Sequence, residues 1–324
     1  MASGQTIGGS SAFNFLNLAS DPMLSASGGI NISNKPDEVG IVADNPALLN
    51  EHMQKQISAS FNDFIAGINA YSLTGAIYSE KLNTNFSGHI YFVDYGSLAQ
   101  TDAAGNISGT FRPVDYVVQV SASKKYLQNW SYGATIKSIN SVYPPYKSSA
   151  IAVDFGVLYE DSSSKIAASV VAKNMGFQIK TYAGTAEDLP FDLEIGVTKR
   201  LLHAPFGFSL TAQHVHQFNI LYRDTAFNNA NGLSSNSGFL ARLFNHFVIA
   251  TQIYIGNNLE GTIGYNQLRR SELNIGSSGN GLNGFSAGIR IKFQKLQILY
   301  AISNYQRNIA YNQFGLALWL DKGL

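Results

Sequence analysis

The 324-residue sequence contains no cysteine, which excludes disulfide bonds and thiolate metal sites. Charged residues are scarce, at 13% of the chain compared with roughly 25% in ordinary soluble domains. The formal net charge of +1 provides no basic surface for a nucleic-acid partner. No uninterrupted apolar stretch reaches the ~18 residues that a transmembrane helix needs. A chain with so little charge would therefore cross a membrane with strands.

From residue 56 to the end, apolar and polar residues alternate with a period of two. In residues 149–159, Ile151 and Val153 lie on one side of a strand, and Ala152 and Asp154 lie on the other. Because successive side chains of a strand face opposite sides, this pattern predicts strands with one apolar face. The predicted strands are 56–65, 67–81, 84–98, 107–126, 129–143, 147–160, 164–181, 189–201, 205–219, 246–256, 258–268, 284–293, 295–304 and 311–320.

These segments predict an all-β protein, a 14-stranded antiparallel transmembrane β-barrel. Aromatic residues make up 12% of the chain, and many lie near predicted strand ends, as in the interfacial girdles of outer-membrane barrels. Bacterial barrels have short periplasmic turns and longer extracellular loops. The longest predicted connections all follow odd-numbered strands; they are 99–106, 182–188, 220–245 and 269–283. The sequence therefore predicts a barrel in the bacterial outer membrane, with these loops at the cell surface and both termini in the periplasm.

The first 55 residues lack sustained alternation. Asn45 and Pro46 are typical of an N-cap and first helical turn, and they predict a short helix running toward Met53. A barrel of ~8 strands is the size that side chains alone can fill, so a 14-stranded barrel needs additional material inside. We therefore expect residues 1–55 to form an N-terminal hatch or plug, and residues 56–324 to form the barrel with its long loops.

Several short motifs resemble those of known outer-membrane proteins. Asp44 to Leu49 (D-N-P-A-L-L), preceded by Ser27-Gly28-Gly29, is similar to the Asn-Pro-Ala hatch motif of the FadL superfamily of 14-stranded barrels, with Asn45, Pro46 and Ala47 at the motif positions. A narrower resemblance, to the PorV/PorQ family of the type IX secretion system of Bacteroidota, covers nearly the whole chain. The motifs that carry it are Ser11 to Leu18, Leu243 to His246, Gly264 to Asn266, Arg269 to Leu273 and Gly284 to Gly288.

The narrower resemblance implies a non-enzymatic subunit of the attachment complex at the cell surface. PorQ-like members hold a soluble PorZ-like surface protein, in a complex with PorU and PorV that joins secreted cargo to lipopolysaccharide. The implied partners are membrane lipid, lipopolysaccharide and the PorZ-like protein, and no cofactor is implied. The wider resemblance to the FadL superfamily implies the alternative function, transport of hydrophobic small molecules across the outer membrane.

The predicted outer loops contain two candidate partner-binding tracts. The first comprises Phe239, Leu240, Arg242, Leu243 and Phe244, and is long enough for a two-turn helix. An apolar helix on an outer loop suits a protein partner, although the same helix could instead fold inward and plug the mouth of the barrel.

The second tract is the pair Arg269 and Arg270, which follows a predicted strand end. Guanidinium groups there would meet lipopolysaccharide phosphates or the carboxylates of a partner. The alternative is an internal ion pair with Glu272.

The sequence gives no signature of an enzyme. His214 and His216 share one face of a predicted strand, as a metal pair would, but the sequence supplies no neighbouring ligand, and the expected role is interfacial. No nucleophile and base are held together locally. We expect no catalytic residue, metal or cofactor. The charged residues predicted to face the lumen, and to form a paired network against the hatch, are Asp115, Lys137, Asp154, Lys173, Asp192, Glu194, Glu260, Arg290 and Lys292.

Overall fold

The computed structural model describes residues 11–35, 37–102, 104–220, 238–273, 281–306 and 309–320. The strands are β1 (Gln56–Asp63), β2 (Asn69–Ser79), β3 (Thr84–Asp94), β4 (Leu98–Thr101), β5 (Ile107–Phe111), β6 (Val114–Tyr126), β7 (Trp130–Tyr143), β8 (Tyr146–Asp161), β9 (Ile166–Lys180), β10 (Asp192–Arg200), β11 (Phe206–Ala212), β12 (Phe247–Ile255), β13 (Leu259–Asn266), β14 (Phe285–Lys292), β15 (Leu296–Gln306) and β16 (Ile309–Trp319). The α-helices are α1 (Pro22–Ala26), α2 (Phe239–Phe244) and α3 (Gln267–Leu273), and 3₁₀ turns occur at Asn14–Asn17, Val39–Ala43, Pro46–Leu48, Glu51–Met53 and Ile65–Gly67.

Fourteen of the strands form one closed antiparallel barrel, and β1 closes it against β16. Gln56 lies opposite Trp319 at one end of this closing ladder, and Asp63 lies opposite Asn312 at the other. β4 and β5 pair only with each other, as a two-stranded hairpin outside the barrel. The predicted 14-stranded antiparallel barrel is therefore confirmed. Within the described ranges, no helix has both the length and the apolar character to cross a membrane.

The predicted strands differ from the observed ones by one to three residues at most ends, and by more in some; the segment 84–98, for example, ends at Asp94. The segment 107–126 is broken before β6, where Pro113 has no N–H to donate to a ladder. The segment 205–219 ends at Ala212, and His214 has a positive φ of 53°. The segment 258–268 ends at Asn266, where α3 begins. Alternation continues past Ala212 and through Tyr265, so the pattern alone could not locate those ends. Before β6 it changes phase, from Phe111 to Val114, and this change marks the break.

The barrel wall is apolar outside and polar inside. On β7, the outward-facing side chain of Ile136 is 67% exposed, whereas its neighbours Thr135 and Lys137 are 1% and 3% exposed. Because a closed barrel leaves no strand edge unpaired, its backbone is satisfied even in a lipid environment. The exposed apolar band and the closed ladder together are the structure of a transmembrane barrel.

The connections differ in length between the two ends of the barrel. The long ones, 95–113, 181–191, 213–246 and 267–284, all emerge at one end, which we call the long-loop rim. At the opposite end, the short-turn rim, the connections are 80–83, 127–129, 162–165, 201–205, 256–258 and 293–295. The predicted segregation of long and short connections is confirmed. The direction in which the barrel crosses the membrane stays a prediction, and residues 221–237 and 274–280 of the long connections lie outside the described ranges.

Residues 11–54, here called the interior segment, lie against the inner face of the barrel. The segment starts at the long-loop rim, where Ser11 bridges to Asp188, and it ends at the short-turn rim, where the Trp319 indole N–H donates to the carbonyl of His52 (3.0 Å). Between these points α1 packs against β13 to β16. Asp21 caps the start of helix α1, where its carboxylate accepts a hydrogen bond from the N–H of Met23 (2.7 Å).

The interior segment brings its own apolar core into the lumen. Leu48 and Met53 are completely buried in a cluster with Val39, Ile41 and Leu49. Burying one such side chain is worth roughly 1.5–3 kcal/mol, so this cluster holds the segment firmly in the short-turn half of the lumen. The predicted domain division at residue 55 stays a prediction, and residues 1–10 lie outside the described ranges.

Candidate ligand cavity in the lumen

The lumen contains a cavity of about 960 Å³. The cavity lies between the long-loop rim and the interior segment. Its walls come from β3, β6, β9 and β10, from the connections 181–191 and 213–246, and from α3. Apolar side chains such as Leu18, Val117 and Leu189 alternate around it with charged and hydrogen-bonding ones. Its size falls within the range of small-molecule sites, about 300–1,000 Å³.

A cluster of charges forms part of the cavity lining where the interior segment meets the wall. The ammonium group of Lys173, on β9, pairs with the Asp44 carboxylate of the interior segment and lies 3.2 Å from Glu194 Oε1 on β10. Lys173 and Glu194 are both buried, so each charge depends on the other for compensation. This contact ties the interior segment to the barrel wall. The predicted network of paired lumen charges is confirmed here and at Lys137–Asp154, Arg290–Glu260 and Lys292–Asp37. For Asp115 it is wrong, because this carboxylate accepts from the hydroxyl groups of Tyr95 and Ser141.

Next to this cluster, the Asn-Pro-Ala motif connects the interior segment to the barrel wall by hydrogen bonds. Asn45 is completely buried; its amide donates to the Ile32 carbonyl (2.7 Å) and to Ser169 Oγ on β9 (2.8 Å). Its side-chain oxygen accepts from the Ala47 N–H (2.9 Å), so the predicted N-cap is confirmed. The predicted helix toward Met53 is wrong, because two 3₁₀ turns stand in its place.

The wall is shaped to receive this motif. Gly133 on β7 and Gly156 on β8 both face it, and a methyl group at either position would overlap with Pro46 or Asn45. The glycines therefore allow the backbone of the interior segment to approach the sheet closely.

His214 and His216 lie in the upper part of the cavity, so the prediction that they are interfacial is wrong. The chain leaves the β11 ladder before them, and both imidazoles turn toward Asp192, with His214 Nδ1 at 3.2 Å and His216 Nδ1 at 3.8 Å from Asp192 Oδ1. Burial lowers the pKa of His216, and burial raises the pKa of Glu272 on α3. Among the described residues, no group of histidine and acidic side chains has an arrangement that could hold a metal ion.

The predicted partner-binding residues of the first tract are on α2, at the long-loop rim. Phe239 and Leu240 are each 65% exposed, and Phe244 is also exposed. The Phe239 ring stacks on Phe218, with ring centroids 5.4 Å apart. Leu243 and Arg242 are half-buried, and Arg242 donates to the side chain of Asn219 (3.4 Å). Much of the apolar surface of α2 thus faces outward, although its role in binding a partner stays a prediction.

Arg269 and Arg270 differ from each other. Arg269 faces the lumen, donates to the Gly28 carbonyl (2.9 Å) and to Ser286 Oγ (3.0 Å), and lies 4.5 Å from the centre of the Tyr305 ring. Arg269 therefore links the interior segment to the barrel wall through hydrogen bonds to both. Arg270 donates to the Gly281 carbonyl (3.3 Å). Neither arginine forms an ion pair with Glu272 within the described ranges, and contact of this pair with lipopolysaccharide or a protein stays a prediction.

The cavity reaches the barrel wall at an irregularity in β9. The pairing of β8 with β9 shifts register between Val153 and Phe155, and Asn174 has a φ of 57°. Such a bulge bends a strand and interrupts its pairing. Within residues 104–220, the ladder between β9 and β10 stops at the pair Lys173 and Asp192.

Beyond this pair, residues 174–180 face the connection 181–191 along a line that we call the β9 seam. Two bonds that involve side chains cross it: the amide of Asn174 donates to the Pro190 carbonyl (2.9 Å), and the N–H of Glu187 donates to the side-chain oxygen of Gln178 (2.7 Å). The cavity lining includes residues on both sides of the seam. The sequence carries a signal of the bulge that the prediction missed: the lipid-facing apolar positions change from even numbers (Val170) to odd numbers (Phe177, Ile179), with Lys173 and Asn174 both buried between them.

Comparison with known proteins supports the architecture. No protein-family model matches the chain, and no curated protein sequence matches it. Among solved structures, a TodX monoaromatic hydrocarbon channel with the deltaS2S3 mutation superimposes with a TM-score of 0.53, at 9% identity, over 91% of this chain and 97% of that one. The TodX deltaS2 mutant gives a TM-score of 0.51 at 11% identity, over 94% and 98% of the two chains. At such low identity the similarity shows the fold alone, and the chain accordingly has the fold of an outer-membrane β-barrel like that of the TodX channels.

Proposed function

We propose that the chain is a non-enzymatic outer-membrane channel that takes a small, largely apolar molecule into its lumen and passes it across the membrane. The observation that carries this proposal is the cavity of about 960 Å³, which lies on the long-loop side of the interior segment and extends to the β9 seam. The similarity of fold to TodX, named as a monoaromatic hydrocarbon channel, supports transport better than attachment of a surface protein.

The β9 seam is the proposed lateral route between the cavity and the lipid. Outside it, Phe177 and Ile179 are 63% and 62% exposed, so an apolar molecule leaving the lipid meets an apolar surface. Separation of β9 from the connection 181–191 at the seam would break the two side-chain hydrogen bonds. The β9–β10 ladder, which runs from Lys173 toward the short-turn rim, would stay intact. Passage toward the short-turn rim requires the interior segment to move away from the wall at Lys173 and Asn45.

A cross-linking experiment tests the route. The chain has no cysteine of its own, so Gln178→Cys with Glu187→Cys can be joined across the seam by a short bismaleimide. We expect uptake of an apolar aromatic probe into proteoliposomes to fall toward that of protein-free liposomes after cross-linking. The matched control is Val197→Cys with Leu210→Cys, which are opposite each other in the intact β10–β11 ladder. Undiminished uptake after complete cross-linking at the seam would exclude this route.

A second candidate function is attachment of a soluble PorZ-like surface protein at the cell surface, within a type IX secretion complex. The exposure of Phe239, Leu240 and Phe244 on α2 favours it, because a cluster of exposed apolar side chains is typical of a binding surface. Lipopolysaccharide would then be a neighbour of the loops.

Affinity purification in mild detergent separates the two functions. If attachment is the function, a large soluble partner is retained by the parent protein and lost from the Phe239→Ser and Leu240→Ser double variant. The transport function predicts no change in uptake for the same variant, since neither side chain lines the cavity.

A further inference from the structure

On one wall of the cavity, three polar side chains each have one atom without a hydrogen-bond partner among the described residues. His89 on β3 and Gln119 on β6 are opposite each other in the ladder, and Tyr91 is the next inward-facing residue along β3. All three line the cavity, and they are only 4%, 5% and 3% exposed. They are therefore neighbours on one stretch of the inner wall.

The hydrogen bonds of these side chains are incomplete. His89 Nδ1 is bonded to Thr74 Oγ1 (2.8 Å), which fixes the ring and leaves Nε2. No partner within the described ranges reaches His89 Nε2, the Tyr91 hydroxyl or the Gln119 side-chain oxygen. A buried polar group without a partner is costly, and such groups are few in native proteins. Three of them side by side on a cavity wall point to a ligand that supplies the bonds.

The surface is polar but carries no free charge. Lys137 is the neighbour of Gln119 in the β6–β7 ladder, and its ammonium group is held 2.6 Å from Asp154 Oδ2 and 2.8 Å from Asn174 Oδ1. Its charge is therefore already compensated. The Phe15 ring of the interior segment stacks against Tyr91, with centroids 6.4 Å apart. A bound molecule would thus meet uncharged hydrogen-bonding groups at this wall, with the Tyr91 ring held from behind by Phe15.

We propose that His89, Tyr91 and Gln119 form a subsite for the uncharged hydroxyl group of an otherwise apolar, ring-sized ligand. The side-chain oxygen of Gln119 can only accept, so the ligand must donate, as a hydroxyl does. The Tyr91 hydroxyl and His89 Nε2 can donate to the ligand oxygen in return. The subsite rests on the proposed function, because it assigns to the transported molecule a polar end that a plain hydrocarbon lacks.

Two probes of nearly the same shape isolate the hydroxyl. In 2-naphthol a hydroxyl group replaces the methyl group of 2-methylnaphthalene, and 2-naphthol is uncharged at neutral pH. Both are titrated by calorimetry into the full chain in lipid nanodiscs, and the signal of empty nanodiscs is subtracted. The measured quantity is the ratio of the two Kd values, in which differences in lipid partitioning cancel between variants. We expect the parent protein to prefer 2-naphthol.

Two variants remove single groups from the subsite. Tyr91→Phe deletes only a hydroxyl, and Gln119→Leu keeps the size of the side chain. We expect each to reduce the preference for 2-naphthol about three- to tenfold, the range for one neutral hydrogen bond. The control is Tyr95→Phe on the same side of the barrel: its hydroxyl donates to Asp115 (2.6 Å), and it does not line the cavity.

Thermal unfolding gives the matching stability readout. Tyr91→Phe removes a group without a protein partner and should leave the unfolding temperature unchanged or raised. Tyr95→Phe takes a donor away from Asp115 and should lower it.

The outcomes separate the subsite from the proposed function. The subsite is supported if the preference for 2-naphthol over 2-methylnaphthalene falls in both subsite variants and is unchanged in Tyr95→Phe. If both probes bind and the ratio is the same in all variants, the subsite is wrong and the channel function stands. If neither probe binds the parent protein, the channel function and the subsite are both overturned.

Discussion

At the scale of single residues, local chemistry was predictable from the sequence and long-range contacts were not. Asn45 caps a helical turn as its sequence predicts, because the cap depends on neighbours only two residues away. Its bond to Ser169, more than one hundred residues later, depends on how the barrel closes. His214 and His216 show the same limit, since a left-handed residue turns both imidazoles from the predicted outer face into the lumen.

Substitution of Asn45 tests its part in holding the interior segment. We expect Asn45→Ala to weaken docking of the segment by about 2 kcal/mol, from one lost cap and buried groups left without partners. Trp319 reports docking through its bond to His52, and in a Trp130→Phe background it is the sole tryptophan. Urea titration of its fluorescence measures the effect. The control Asn50→Ala removes a half-buried cap of the next turn and should cost about 1 kcal/mol; equal effects would contradict the special role of Asn45.

The pH dependence of stability follows from His216. Burial lowers its pKa in the folded protein, and its neighbours His214 and His246 act in the same direction against Asp192. In the unfolded chain the His216 imidazole has an ordinary pKa of about 6.5. Just below that pH, the unfolded chain therefore binds more protons than the folded protein. The free energy of unfolding of the parent protein should therefore fall as the pH drops from 7.5 to 5.5. In the His216→Gln variant it should fall less over the same range. Urea unfolding at the two pH values measures this, and the exposed His203→Gln should behave like the parent. If the His216→Gln variant loses as much stability between the two pH values as the parent protein, His216 is not the cause of the pH dependence.

At the scale of secondary-structure elements, the number of barrel strands was predictable because each spans the membrane with one lipid-facing side. Their ends were less so. One strand was predicted over 107–126, although β5 belongs to a separate hairpin and the alternation changes phase between Phe111 and Val114. The β9 bulge was also missed, although the alternation of apolar and polar residues shifts by one position between Lys173 and Asn174.

The β4–β5 hairpin should be dispensable for barrel stability. Its two strands pair only with each other, and the side chains of β4 are all exposed. An isolated two-stranded hairpin contributes little packing of its own. We expect replacement of residues 98–111 by a short glycine-serine linker to leave the temperature of the heat-induced gel shift of the barrel unchanged. A markedly lower temperature would show that the hairpin supports the wall.

At the scale of the whole molecule, loop parity in the sequence correctly predicted that the long connections share one rim. The alternation also indicated that the lumen is polar. It could not show that the lumen keeps a cavity above the interior segment, because that depends on how residues 11–54 pack against many strands at once. The proposed transport therefore depends on a property of the assembled barrel, namely whether the interior segment can move from the wall.

A disulfide between the interior segment and the barrel tests this most directly. Ser33 Oγ and Thr198 Oγ1 on β10 lie 2.8 Å apart, so Ser33→Cys with Thr198→Cys can pin the segment to the wall. The measurement is uptake of an aromatic probe by proteoliposomes that contain this variant, before and after reduction. If the segment moves during transport, uptake is lost in the oxidised variant and restored by the reductant. Full uptake with the disulfide intact would contradict passage of the ligand through the lumen past the interior segment.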